Sequence, residues 1–141
     1  MKKMRNLFAL LALAVLVMPG ARPAAAGPST SDEHHVMVAL QPVGGSGVSG
    51  FVNLVQVPGG GTRIHVMAFG LTPGQDYVSL YYDNNTCTLP GDELSEPYTG
   101  NAAGIGRTHG TADDDLDEVD SVSVRLNDAN LTLMACAAVH P

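Results

Sequence analysis

The chain predicts an all-β domain built as an antiparallel sandwich or barrel. Three observations carry that expectation. Apolar residues recur with period two in short runs rich in valine, isoleucine and aromatic side chains. Clusters of glycine and proline separate the runs. No stretch beyond residue 26 shows a helical stripe capped at both ends.

Taken in order, Val36, Val38 and Leu40 alternate with His35, Met37 and Ala39, which predicts a first strand with one buried face. Gly44-Gly45-Ser46-Gly47 then turns the chain into a second run, Val48 to Val57, carrying Phe51, Val52, Leu54 and Val55. Pro58-Gly59-Gly60-Gly61 leads to a third run, Ile64 to Leu71, and Thr72-Pro73-Gly74 to a fourth, Val78 to Tyr82, within the extended stretch from Asp76. These linkers turn because glycine tolerates positive φ and proline presets its own. From Thr88 to Asp120 apolar residues are sparse, which predicts a long loop, a strand near Ala103 to Thr111 and an acidic turn. Two final strands follow, Ser121 to Leu126 and Leu131 to Val139, joined by a turn at Asn127-Asp128-Ala129-Asn130.

The amino-terminal end reads differently. Lys2, Lys3 and Arg5 precede an apolar run from Leu7 to Met18, and Ala24-Ala25-Ala26 offers a cleavage site, the pattern of a secretory signal peptide over residues 1 to 26. The run is about a dozen residues, short of the roughly 20 that span a bilayer. Residues 27 to 35 are expected to form a flexible leader, and residues 36 to 141 one domain. The expected location is outside the cytoplasm, periplasmic or extracellular.

Removing residues 1 to 26 leaves three basic residues, Arg63, Arg107 and Arg125, against 14 acidic ones, a net charge of −11. Coulomb repulsion then opposes nucleic acid and anionic membranes as partners. A protein or carbohydrate partner fits better, to a monomer or a homodimer. Two cysteines in an exported chain are expected to pair, Cys87 with Cys136, the alternatives being two buried thiols or an intermolecular bridge. Such a bridge closes a loop of about 50 residues, worth about 4 kcal/mol in the chain-entropy model.

Several segments in order resemble copper/zinc superoxide dismutase. Val38-Ala39-Leu40 with Val48 to Leu54 is similar to that family's first hairpin; Ile64 to Ala68 with Gly70-Leu71-Thr72-Pro73-Gly74 resembles the strand and turn before its copper strand. Asp83-Asn84-Asn85-Thr86-Cys87 resembles the start of its disulfide loop, and Met134 to Val139 its closing strand with the partner cysteine. The match runs through most of residues 36 to 139. It implies a Greek-key antiparallel β-sandwich with one disulfide tying the long loop to the last strand. The alternating strands and glycine turns are also similar, more faintly, to the chordin-type repeat domains.

The resemblance does not carry the chemistry. The family holds copper and zinc largely through imidazoles, but Ser79 and Tyr81 stand where two copper histidines are expected, and Thr88 to Arg107 has no histidine. The place of the family's guiding arginine is Leu133, and its late copper histidine falls near Arg125 or, in another alignment, near His109. No catalytic residue and no bound cofactor are therefore expected. The expected function is an exported, non-catalytic binding or structural module. The alternative is a copper-binding protein or a divergent dismutase with relocated ligands.

For that alternative, His34, His35 and Met37 are the candidate metal ligands, since imidazole and thioether suit copper. A second alternating pair, His65 and Met67, projects from one strand face. Both sets also have a plain reading as exposed or rim residues. The acidic run Asp113 to Asp120 lacks the glycine and spacing of a calcium loop and reads as a solvated turn. Asn84-Asn85-Thr86 and Asn130-Leu131-Thr132 match the glycosylation pattern only formally.

Overall fold

A computed structural model describes residues 34 to 141; the expected signal peptide and leader residues 27 to 33 lie outside them. The described residues are all-β, and every strand pairing is antiparallel. The strands are β1 (His35–Pro42), β2 (Ser49–Gln56), β3 (Thr62–Phe69), β4 (Asp76–Tyr82), β5 (Asp92–Glu93), β6 (Tyr98–Thr99), β7 (Gly106–Ala112), β8 (Ser121–Leu126) and β9 (Leu133–Ala138). Their spatial order is β5-β4-β8-β9-β1-β2-β3-β7, with β6 also on β4. The sheet curls because β1 serves two neighbours. Residues 35 to 40 pair with β2, and Gln41 and Pro42 pair with β9.

The curled sheet encloses one main core. Val36, Val38 and Leu40 of β1, Val52 and Leu54 of β2, and Ile64, Val66 and Ala68 of β3 face Val122 and Val124 of β8 and Ala135 and Ala137 of β9. Burying a valine-, leucine- or isoleucine-sized side chain contributes about 1.5–3 kcal/mol, so this face dominates the stability of the strands that supply it. Gly50 lies opposite Ala68 of β3: with φ 146°, a Cβ there would lie 1.9 Å from the Met67 carbonyl oxygen. Only glycine fits that position.

The second half of the curl is covered on both faces. The opposite face of β4 buries Val78, Leu80 and Tyr82 against Cys87, with Leu131, Leu133 and Cys136 packed alongside. The disulfide Cys87–Cys136 seals this layer. Among the described residues, the corresponding outer face of β1, β2, β3 and β7 has no such cover.

Four expectations need correction. His35 opens β1 and does not belong to a leader, because its backbone pairs with Val55. The long loop contains the two-residue strands β5 and β6, which line the edge of β4. Leu94, beside β5, donates its N–H to the Ser79 carbonyl (2.9 Å) and buries its side chain, so the segment is a plug as well as a connection. Finally, the acidic run is not wholly solvated, since Leu116 and Val119 enter the core. Asp115 carries the turn's attachment, its Oδ1 accepting from Gln56 Nε2 and the Gly61 N–H, both at 2.8 Å. These two donors, the Gln56 amide first, hold its carboxyl below the usual range. The last strand is also shorter than expected, beginning at Leu133, because Leu131 has φ 46° and belongs to the turn.

Candidate functional site

Strand alternation sends odd-numbered residues of β1, β2, β3 and β7 to the uncovered outer face. Register then aligns them into rows. Met37 lies opposite Asn53, Asn53 opposite His65, and His65 opposite His109. In the next row Ala39, Phe51, Met67 and Arg107 follow one another. Met37 is 63% exposed and Phe51 44%, large apolar side chains in water. Residues of the two rows line a concavity of about 290 Å³ that includes Met37, Met67, His65 and His109.

Within it, the His65 and His109 rings lie nearly parallel, their centroids 5.5 Å apart. Phe51 packs edge-on against Phe69 at 5.6 Å. Among the described residues, Arg107 is the one formally charged side chain in the lining, and no carboxylate lines it. His35, on the same face, is paired through Nε2 with Asn53 Oδ1.

The candidate set His34, His35 and Met37 is therefore divided. His35 and Met37 share the outer face, but His34 lies around the strand end, in a cleft with Asp115, Asp117 and His140. The pair His65 and Met67 does share one face, as alternation predicts. Sequence reading considered His109 only as one placement of a late copper ligand. The structure puts it beside His65, 44 positions away in the chain and directly across the β3–β7 ladder. One signal was present in the sequence: the triplets His35-Val36-Met37 and His65-Val66-Met67 repeat the order His-x-Met.

The other positions singled out serve the architecture. Ser79 is buried and shares a 2.8 Å hydrogen bond with the Tyr98 hydroxyl. Burial pushes the Tyr98 phenol up to about 12 despite that bond. Tyr81 edges an acidic cleft of about 610 Å³ lined by Asp83, Asp92, Asp114 and Glu118. Its phenol is raised by burial first and by the carboxylates of Asp92 and Asp114 next, and so stays protonated at neutral pH. Asp114 is itself raised, by burial and then by Glu118 and Asp92. Leu133 packs into the layer over β4.

Arg125, the other placement of the late copper ligand, is 5% exposed. Its guanidinium donates to Tyr82 Oη (2.7 Å), the Leu131 carbonyl (2.5 Å) and the Cys87 carbonyl (2.5 Å). Cys87 and Leu131 are the two non-glycine residues with positive φ among the described residues, at 52° and 46°. One side chain thus braces both left-handed turns. Nothing in the sequence pointed to this role.

The formal glycosylation sequence at Asn84 is occupied internally, since its Oδ1 accepts from the Thr86 and Thr88 N–H groups at 3.2 and 2.9 Å. Among the described residues no three side chains of histidine, cysteine, aspartate or glutamate converge as a metal cage. Comparison with protein-family models finds no match to this chain, and neither does comparison with curated proteins.

Proposed function

We propose that this protein is an exported, non-catalytic binding module of superoxide-dismutase-like build that engages its ligand through the outer face of β1, β2, β3 and β7. The asymmetry of the two outer faces carries this reading. One is filled by the disulfide layer, whereas the other leaves Met37 and Phe51 in water around a concavity. Exposed apolar side chains rimmed by polar ones mark interaction surfaces.

The non-catalytic reading rests on donor chemistry at the positions where the resemblance expects copper histidines. Ser79 spends its hydroxyl on Tyr98, and Tyr81 holds its proton more firmly than a free tyrosine. A net charge of −11 for residues 27 to 141 disfavours an anionic substrate, nucleic acid and anionic membranes alike. The disulfide agrees with a compartment outside the cytoplasm. A protein or carbohydrate partner of a monomer or homodimer remains the general form of the proposal. The His-x-Met repeat favours a second reading, copper binding on the same face.

Superoxide consumption by the purified protein loaded with copper and zinc should not exceed that of the free metals; robust copper-dependent turnover would sink the non-catalytic reading. Backbone amide shifts on titration with copper(I), zinc and a panel of oligosaccharides test the face. Shifts centred on β1, β2, β3 and β7 support it. Shifts confined to the acidic cleft by Tyr81 refute it.

A further inference from the structure

We infer that the outer face holds one copper(I) ion, bound by His65, His109 and the thioether of Met67; this deepens the proposal that the face is the binding face. The site would lie on β3 and β7, away from Ser79 and Tyr81 of β4, where the resemblance expects two copper histidines.

Geometry comes first. Two imidazoles sharing an ion, each bonded at about 2.0 Å, have ring centroids roughly 5–6 Å apart. His65 and His109 are already at 5.5 Å. Their rings are nearly parallel, with an interplanar angle of 19°, so a turn about Cβ–Cγ is needed to aim both nitrogens at one point. Exposed side chains on a strand surface have that freedom, and neither ring has a hydrogen bond to break among those of the described residues. Met67 is two residues from His65 on the same face and diagonal to His109, within reach of a long, flexible thioether. All three line the same concavity.

Charge and softness choose the ion. Every donor is neutral, and thioether sulfur selects soft copper(I) over hard cations. Among the described residues no carboxylate lines the concavity to offset a divalent charge, and Arg107, opposite Met67, adds a positive one. A monovalent ion suffers least from that neighbour. Met37, at the far side of Asn53 in the same concavity and 63% exposed, supplies a second thioether on the solvent side, suited to first contact with an incoming ion. The same arrangement disfavours zinc, whose usual donors are thiolate, imidazole and carboxylate and not thioether.

The test is a copper(I) titration of the oxidised protein under ascorbate and argon, in competition with bicinchoninate, followed by copper K-edge X-ray absorption. One equivalent should be retained, with nitrogen scatterers and one sulfur. The variant His65→Gln/His109→Gln should weaken binding by at least roughly 100-fold, and Met67→Leu should remove the sulfur scatterer while leaving the apolar surface intact. His34→Gln, in the separate cleft around the strand end, should change nothing. All substituted positions lie at or near the surface, and circular dichroism checks that each variant is folded. Failure to retain copper(I), retention by the His65/His109 variant, loss in the His34 variant, or a spectrum without sulfur would each overturn the inference. If copper fails but an oligosaccharide or protein still shifts amides on this face, the binding-face reading survives alone. If every ligand acts elsewhere, both fall.

Discussion

Replacing Arg125 tests the idea that a single buried guanidinium braces the covered side of the sandwich. Its three acceptors are unequal. Tyr82 Oη keeps a second partner, Ser123 Oγ at 2.7 Å, so it is not orphaned when the guanidinium is removed. The Cys87 and Leu131 carbonyls lose a charge-assisted donor, the first in a buried setting and the second partly exposed. An unsatisfied buried acceptor costs about 1–3 kcal/mol, so the Arg125→Ala loss should be roughly 3–5 kcal/mol once the lost cation–π contact of the guanidinium with the Tyr82 ring is included. For a domain of this size that lowers the melting temperature by on the order of 15–30 °C. Urea and thermal melts followed by far-UV circular dichroism, with the disulfide intact, measure it. Arg125→Met is the sharper variant, because it keeps the stem volume and removes only the donors. Burying a charge without a carboxylate also carries a desolvation cost, and that cost opposes the gain. If Arg125→Met is within about 1 kcal/mol of the parent, the two cancel and the clamp interpretation is wrong.

Two further outcomes are expected. At Gly110→Ala the added Cβ would lie 2.1 Å from the Leu94 carbonyl oxygen, so the plug must move; the stability loss should be about 2–4 kcal/mol, with fast hydrogen exchange at the Leu94 amide, and unchanged protection there would refute the plug. Tyr98 has a folded-state pKa of about 12 against an ordinary 10.0. Its stabilisation is therefore complete below pH 10 and lost as the pH rises towards 12, so the urea midpoint should fall across that window and Tyr98→Phe should flatten the fall; a parent curve that is already flat contradicts it.

Strands with one face in the core were readable because burial forces period two. Val36, Val38 and Leu40, and Val122 and Val124, declare their inner face directly in the residue order. The strands β5 and β6, at two residues each, are too short to show any period, and they form because β4 offers an edge. The disulfide was legible from the cysteine count and the expected export, and Cys87 and Cys136 do pair. The candidate site was legible only in fragments. His65 and Met67 share a face by parity, which sequence shows, but His109 joins them only through the β3–β7 register, which sequence does not fix. Arg125 is a case beyond local pattern altogether, since its partners at Cys87 and Leu131 meet only after the loop has folded over β4.

The double duty of β1 sets the order in which the molecule can be completed. Gln41 pairs with Cys136, so the junction between the two halves joins residues almost the whole described chain apart. A ribosome makes β1, β2 and β3 in succession, and this meander can form early from neighbouring pieces. The other half has to wait for β9, which also carries the partner of Cys87. With two cysteines in the chain, no wrong bridge can form within one copy during that wait. The covalent bond is thereby timed to the arrival of β9, and a chain that has acquired it has already brought its distant ends together.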